Sequence, residues 1–476
     1  MSNFHSGSKI LLPFSEAVGL KIDQFNFLFC QISACGIGYL FSRYLSRAKI
    51  NPNYKHISEI ILGILLTLFC FGLQIWYLLA QSISVYVMMN VLSVRKARYC
   101  ILIFVLFFLS VAHIGRMYYD YGSYTLDITG PLMIQTQKLS SLAFNLMDGQ
   151  RVKNKEKLRK DYHQVHAINH YPTVLEFFSY TFYFHGLMVG PFVFLGDYLR
   201  FIEGRQDELL INEDDKNHFK RNKFQILSAW PEISFHLFSL VCYSLLFFFI
   251  EPYFKPEFLL SDEFYQNGFF KRYLLMTITM FLVRQKYYIA WTMGSITNLF
   301  AGLGFSGFDE KQQPKYHIVK NFHFSRTEFG TSAKTMIDHW NVGTAIWLRE
   351  CVYDRVPHSI GTITVFTCSA IWHGYYPGYY LAFASVALMT NAARCGRRLF
   401  RTYFHNAGLK LPYDITTATM SMFCLNFSII PFALLDIRKG FMVWKSLYIL
   451  GPVGCTILLF IGNVMNLKLR NNSKFE

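Results

Sequence analysis

The sequence predicts an all-α protein that crosses a membrane about ten or eleven times, on a mixture of full-length and broken helices. Three observations predict it. Of the 476 residues, 53% are hydrophobic and 18% aromatic, with 48 Phe and 30 Tyr, which is not a soluble composition. Mean hydropathy is positive. Apolar windows recur along the chain, and several reach or approach the roughly 20 residues that a helix needs to cross about 30 Å of hydrocarbon. No internal repeat, low-complexity tract or Pro/Gly-rich linker sets off a soluble part, so residues 1–476 read as a single integral membrane domain.

Taken in order, the N-terminal stretch "MSNFHSGSKILLPF" lacks the basic segment, apolar core and cleavage site of a signal peptide, so the apolar run from Gln24 is expected to stay as an anchor. Full spans are predicted at 24–44, 59–80, 100–116, 177–202, 234–252, 272–290, 376–393, 414–435 and 443–465. Shorter pieces at 82–94, 128–146 and 360–373 fall below a full crossing. Such pieces persist at membrane depth only where protein or a water-filled cavity satisfies their backbone, so they are expected to line something. Polar connections fall at 149–170, 203–224 and 306–335, with a short one around 354–358.

The net charge of +16 comes from 46 Lys and Arg against 30 Asp and Glu. In a soluble chain it would suggest nucleic acid. Here it sits in loops such as "RVKNKEKLRK" (151–160) and "KNHFKRNK" (216–223), so no nucleic-acid partner is expected. Cationic loops beside a bilayer suit anionic headgroups and a cytosolic orientation, and they attract a polyphosphate cosubstrate. The basic tail "KLRNNSKFE" fits a cytosolic C-terminus. The ten cysteines show neither CxxC nor zinc-finger spacing; Cys30, Cys70, Cys242, Cys424 and Cys455 lie in apolar runs and read as small core hydrophobes.

Ionisable and strongly polar residues inside apolar runs are costly, which makes them candidates for function. His373 ends the piece "GTITVFTCSAIWHG", with Trp372 before it and the helix-breaking Pro377–Gly378 behind. A histidine there fits a buried residue satisfied by a carbonyl, and equally a general base, because imidazole's ordinary pKa is about 6.5. In "AKTMIDHWNVGTAIWLRECVYDRV" (333–356), helical periodicity places Asn341 on one face with Ile337, Thr344, Ala345, Leu348 and Val352, while Trp340 and Trp347 occupy the neighbouring face. A lone amide on an apolar face needs a partner, either another helix or a substrate hydroxyl or carbonyl. Lys334 and Asp338 read as a helix pair, and Arg349, Asp354 and Arg355 as an exit to water. In "VRQKYYIAWTMGSITNLFAGLGFSGFDE" (283–310), Arg284 and Lys286 end an apolar span and aromatic residues follow, which fits interfacial anchoring as well as phosphate binding.

Other motifs are set aside. Gly302, Gly304 and Gly307 spell GxGxxG with no strand before it, so no dinucleotide site is expected. His163, His166 and His170 in "HQVHAINH" read as a solvated face in a polar segment, and no metal site is expected. There is no P-loop, G-x-S-x-G elbow, HExxH or HxxxxD pattern. The sequons at Asn426 and Asn471 do not indicate glycosylation, the first lying inside a hydrophobic span.

"DHWNVGTAIWLRECVYDRV" followed by "SAIWHGYYPGYYLAF" resembles the membrane-bound O-acyltransferase family, whose signature is an Asn in a W-N context and a His in a W-H-G context. The likeness extends to "GPLMIQTQKLSSLAFNLMDG" (130–149), "SYTFYFHGLMVGPFVFLGDYLRFIEGR" (179–205) and "KYYIAWTMGSITNLFAGLGFSGFDE" (286–310), covering about residues 120–400. It is nearest to the lysophospholipid acyltransferase branch acting on lysophosphatidylethanolamine, lysophosphatidylserine and lysophosphatidylcholine. The resemblance implies a multi-pass endoplasmic reticulum enzyme with a helical bundle around a central tunnel. Acyl-CoA is the cosubstrate and no cofactor is needed. His373 matches the family's catalytic histidine and Asn341 its second signature residue. Arg284, Lys286, Lys334 and Arg349 are then candidates to meet the CoA phosphates, and Trp340, Thr344 and Trp372 to meet substrate. Two rival readings stand beside this one: a polytopic transporter, against which no duplicated halves are found, and a family member acylating a sterol, diacylglycerol or protein. Oligomeric state has no signature in the sequence.

Overall fold

The computed structural model describes residues 6–45, 50–123 and 125–472. The first five residues, the last four of the basic tail and the end of the Asn471 sequon lie outside the described residues. Helices carry the described chain from end to end, and the one β-type pairing among described residues is an isolated bridge between Phe308 and Pro314. The helices used below are α1 (Ile22–Leu40), α2 (Pro52–Phe71), α3 (Ile75–Val91), α4 (Val94–Tyr119), α5 (Thr129–Lys153), α6 (Val174–Phe182), α7 (Leu195–Ile202) and α8 (Trp230–Leu245). They continue with α9 (Phe269–Ala301), α10 (Ala333–Asp338), α11 (Val342–Cys351), α12 (His358–His373), α13 (Pro377–Asn406), α14 (Lys410–Leu434), α15 (Ile437–Ser446) and α16 (Leu450–Asn472).

Among the described residues, five runs are long and apolar enough to cross a membrane: Ile22–Tyr44, Pro52–Val91, Val94–Tyr119, Glu213–Leu260 and Lys410–Leu434. The bent pair Ile437–Ser446 and Leu450–Met465 makes six if it counts as one span. The chain is thus a multi-pass membrane protein, with fewer strongly apolar spans than the ten or eleven crossings expected. The remaining long helices are more polar: α9 carries Lys271, Arg272, Arg284 and Lys286, and α13 carries Arg394, Arg397, Arg398 and Arg401. The ten cysteines are all free thiols, and Cys30, Cys70 and Cys455 are buried.

The chain folds into two compact units that interleave along the sequence. The first comprises Met1–Val241, Ile289–Asn321 and Ile346–Arg355; the second comprises Cys242–Tyr288, Phe322–Ala345 and Val356–Glu476.

In the first unit, α5 is buried without interruption from Gln135 to Gly149. A helix covered all round belongs to a protein interior, and its polar side chains are matched accordingly. Gln135 donates to the Leu78 carbonyl at 2.8 Å and to Ser82 at 3.0 Å, and Ser140 accepts from the Trp347 indole at 2.8 Å. Lys138 sets its ammonium 3.6 Å from the centre of the Tyr183 ring and donates to the Tyr180 carbonyl at 3.3 Å. The predicted short piece 128–146 is therefore a 25-residue internal helix.

The span predicted at 177–202 is not one helix. α6 ends at Phe182 and α7 begins at Leu195, with a buried non-helical stretch between them. Gly190 takes a left-handed φ of +77° and Pro191 has no N–H to give, so a helix cannot run through. Buried side chains supply the missing partners. Glu59 accepts from the Phe184 N–H at 3.2 Å and lies 3.2 Å from His185 Nε2, while Asn298 donates to the His185 and Gly190 carbonyls at 3.0 and 3.2 Å. Non-helical backbone at membrane depth requires this kind of internal pairing. Gly63 permits the close approach of α2, because a Cβ there would fall 1.7 Å from the Phe182 carbonyl oxygen.

The histidines of 163–170 are not a solvated face, His170 excepted. His163 is buried with Nε2 3.2 Å from Asp354 Oδ2, and His166 pairs with Glu350 at 3.0 Å while stacking on Phe194. Burial and, next, the Arg355 guanidinium hold His163 below the usual imidazole range, although Asp148, Asp354 and Glu350 pull the other way. Tyr162 donates to Asp354 at 2.5 Å, and Arg355 clamps Asp148 with bonds of 2.8 and 2.5 Å. Asp354 and Arg355 are thus an internal ion-pair cluster, where the sequence pointed to an exit to water; Arg349 alone is exposed.

Candidate active site

His373 is the last residue of α12. The helix stops because Gly374 adopts φ +117°, a backbone that residues with a Cβ avoid, while its N–H closes on the Ala370 and Ile371 carbonyls at 3.1 Å. Three residues later α13 starts with Pro377 at its first position, where the missing N–H costs nothing. The break foreseen at Pro377–Gly378 thus has two parts: Gly374 ends one helix and Pro377 begins the next.

Gly378 has a separate role. A Cβ there would lie 2.0 Å from the Pro431 carbonyl oxygen, so α13 and α14 approach each other where no side chain fits. Pro431 sits inside α14 and cannot donate to Phe427, four residues earlier. The Phe427 carbonyl is taken instead by the Trp444 indole of α15, at 2.8 Å. The residue after Pro431, Phe432, meets His373 edge-on with ring centres 5.3 Å apart. Trp372, Phe383 and Tyr379 complete the surround at 4.7, 5.2 and 6.1 Å, and Tyr379 stacks on Phe432 at 4.4 Å. The imidazole is half-buried among four aromatic rings drawn from α12, α13 and α14.

Asn341 does not lie mid-helix on the face expected from periodicity. α10 ends at Asp338, α11 begins at Val342, and Asn341 between them takes φ +50°. Asn is among the few non-glycine residues that adopt this conformation readily. Several bonds hold the corner. The His339 carbonyl accepts from the His323 N–H and the Thr327 hydroxyl, both at 3.0 Å. Trp340 packs against the rings of Tyr287 and Tyr288, each 5.6 Å away. The Asn341 carbonyl accepts from the Ala345 N–H at 3.0 Å, and its side-chain Oδ1 accepts from the Thr344 hydroxyl at 2.8 Å. Thr344 therefore touches Asn341, turning the carboxamide oxygen toward itself and its N–H₂ away.

The backbone makes Asn341→Gly more informative than Asn341→Ala. Glycine keeps φ +50° without strain and removes only the amide, whereas alanine adds about 1–2 kcal/mol of left-handed backbone cost. If the amide stabilises charge in the reaction, both variants should lose about 10²–10³-fold in kcat, and only the alanine variant should melt earlier. A glycine variant with normal kcat would make Asn341 a corner residue alone.

The candidate cations separate. Arg284 is buried in α9 and spends its guanidinium on Glu328, in two bonds of 2.7 Å, and on Asn426, in one of 2.7 Å. Tyr288 gives Glu328 a further bond of 2.5 Å. The 33-residue α9 runs on through this point, so Arg284 does not end a span, and its charge is matched inside the protein. Buried Asn426 is a partner of this ion pair. The sequence reading did not single out Glu328 and noted Asn426 only as a sequon inside an apolar span; each lies far from Arg284 in the chain. Lys334 is exposed and bonded to Asp338 as a helix pair, and Lys286 is half-buried over the Tyr287 ring. Asn341, Thr344, Trp340, Trp372, His373, Arg284, Lys286 and Lys334 all fall in the second unit; Arg349 falls in the first. Gly302 and Gly307 are left-handed corners after α9, and among the described residues it is a helix, not a strand, that precedes them.

A sequence model of the membrane-bound O-acyltransferase family matches residues 113–435, which include Asn341 and His373. The chain is 35% identical to the Drosophila melanogaster protein called lysophospholipid acyltransferase 6, over 96% of the chain and 63% of that protein. It is 35% identical to the human membrane-bound glycerophospholipid O-acyltransferase 2, over 99% of the chain and 92% of that protein. To the Schizosaccharomyces pombe lysophospholipid acyltransferase it is 29% identical, over 94% and 88% respectively.

Proposed function

The chain belongs to the membrane-bound O-acyltransferase family, a family of acyltransferases, and from that premise we propose that it transfers a fatty acyl group from acyl-CoA to the free sn-2 hydroxyl of a lysophospholipid. One observation carries the reading. Within the matched stretch, His373 stands at a helix break, half-buried among four aromatic rings, where a partly exposed imidazole can meet substrate.

In the proposed step, the His373 imidazole takes the proton of the acceptor hydroxyl as its oxygen attacks the thioester carbonyl. The C–S bond breaks as the ester C–O bond forms, and the proton passes from the imidazolium to the departing CoA thiolate. The Asn341 carboxamide, turned by Thr344, donates to the carbonyl oxygen as charge develops on it. A positioned base contributes about 10²–10⁴-fold, and burial of the acyl chain contributes roughly 0.8 kcal/mol per CH₂. No covalent intermediate is needed. Trp340 and Trp372 are the proposed aromatic contacts, and Lys286 and Lys334, the second already paired with Asp338, the proposed phosphate-binding cations of this unit. Thr344→Val should lower kcat with little change in KM, and Thr344→Ser should restore it.

On the family's pattern, the proposal extends to residues 1–476 acting as one domain in the endoplasmic reticulum membrane, with ten or eleven crossings around a central tunnel. The named relatives favour lysophospholipid over sterol, diacylglycerol or protein as acceptor. A panel of lysophosphatidylethanolamine, lysophosphatidylserine and lysophosphatidylcholine with one radiolabelled acyl-CoA tests the reading. Labelled diacyl product from at least one of them is expected; label appearing only in sterol, triacylglycerol or protein would overturn it.

A further inference from the structure

We propose that α15 is an in-plane membrane helix whose Arg438–Lys445 ridge binds anionic phospholipid headgroups. The proposal needs only that α16 spans the bilayer and is independent of the transferase reading. Left-handed corners set α15 apart at both ends: Leu435 at φ +59° before it, and Tyr448 and Ile449 at +57° and +53° after it. The second corner turns the chain by 80° into α16. Spanning helices tilt on average about 20° from the bilayer normal, so an element at 80° to one runs close to the membrane plane.

The side chains of α15 divide as an interfacial helix requires. Gly440, Val443 and Trp444 face the protein, with Gly440 packed so tightly that a Cβ would lie 2.8 Å from Pro431 Cγ. Ile437 and Phe441, one turn apart, form an exposed apolar stripe beside that face. Arg438 and Lys445, seven residues and thus about two turns apart, form the next ridge round the helix, and Lys439 is also exposed. None of these three cations makes an ion pair with a described residue. Asp436, the nearby acid, is occupied as N-cap to the Lys439 N–H at 2.9 Å. Apolar stripe and cationic ridge side by side match acyl boundary and phosphate layer, and the excess of three cations over the single Asp436 carboxylate selects anionic lipid.

Native mass spectrometry of the full-length protein in neutral detergent, titrated with phosphatidylglycerol or phosphatidylcholine, tests this. The wild type should bind phosphatidylglycerol in preference. At about fivefold in affinity per basic residue, the R438Q/K445Q variant should lose roughly 25-fold for phosphatidylglycerol and keep its phosphatidylcholine binding. An unchanged preference in that variant would overturn the proposal. So would displacement of phosphatidylglycerol from the wild type by free CoA but not from R438Q/K445Q, which would give the ridge to the cosubstrate.

Discussion

Replacing His373 with alanine should lower kcat for acyl transfer by about 10²–10⁴-fold while leaving KM for both substrates nearly unchanged. The imidazole ends α12 beside Gly374, and its ring is held by Trp372, Tyr379, Phe383 and Phe432. A base removed from such a place takes away proton transfer in the transition state more than it takes away binding. Alanine also leaves a gap among four rings, which by itself could loosen the enclosure. His373→Gln separates the two effects, because it fills much of the space with a group that accepts no proton near neutral pH. Both variants should be equally slow. If the glutamine variant folds and turns over like the wild type, the base lies elsewhere.

Gly378→Ala should be nearly as damaging through a different route. Its Cβ would fall 2.0 Å from the Pro431 carbonyl oxygen and 2.7 Å from the Leu435 carbonyl carbon, both main-chain atoms that cannot swing aside. α13 and α14 must separate, and Phe432, next to Pro431, withdraws from His373. Overpacking of this kind costs about 1–3 kcal/mol and occasionally more. The expected result is an earlier thermal transition together with a lower kcat. Pro377→Ala, which alters only the first position of α13, should affect either far less. A Gly378→Ala enzyme with normal melting and turnover would show that the close approach of α13 to α14 does not govern the site.

Much of this site was legible in the sequence, and the exceptions share a cause. The apolar piece ending at His373 was readable because local signals, an apolar run and then Gly374 and Pro377, mark both sides of the break. Asn341 was placed mid-helix because apolar residues keep helical spacing across 337–352. The contrary sign was local too, an Asn ahead of Val-Gly-Thr, the composition of a helix start. Arg284 looked like a span end because its neutralising partner, Glu328, is 44 residues away in the chain. The same holds for α5, whose glutamines, lysine and serines look unfit for a membrane protein's interior until Leu78, Ser82, Tyr183 and Trp347 are seen around them. Periodicity reports which face is apolar, and it carries no information about which distant residue answers a buried charge. The stretch 183–194 adds a further case: hydropathy alone does not distinguish a spanning helix from buried irregular backbone, and only Gly190 and Pro191 hint at the difference.

The central claim is direct transfer from acyl-CoA to a lysophospholipid at His373. It is tested most directly by following free CoA thiol and diacylphospholipid together in proteoliposomes of the purified full-length protein, wild type and His373→Gln side by side. The account predicts one thiol released per diacyl product in the wild type, and both signals falling together by at least about 100-fold in the variant. Lysolipid movement without thiol release, or a folded variant that keeps both signals, would contradict it.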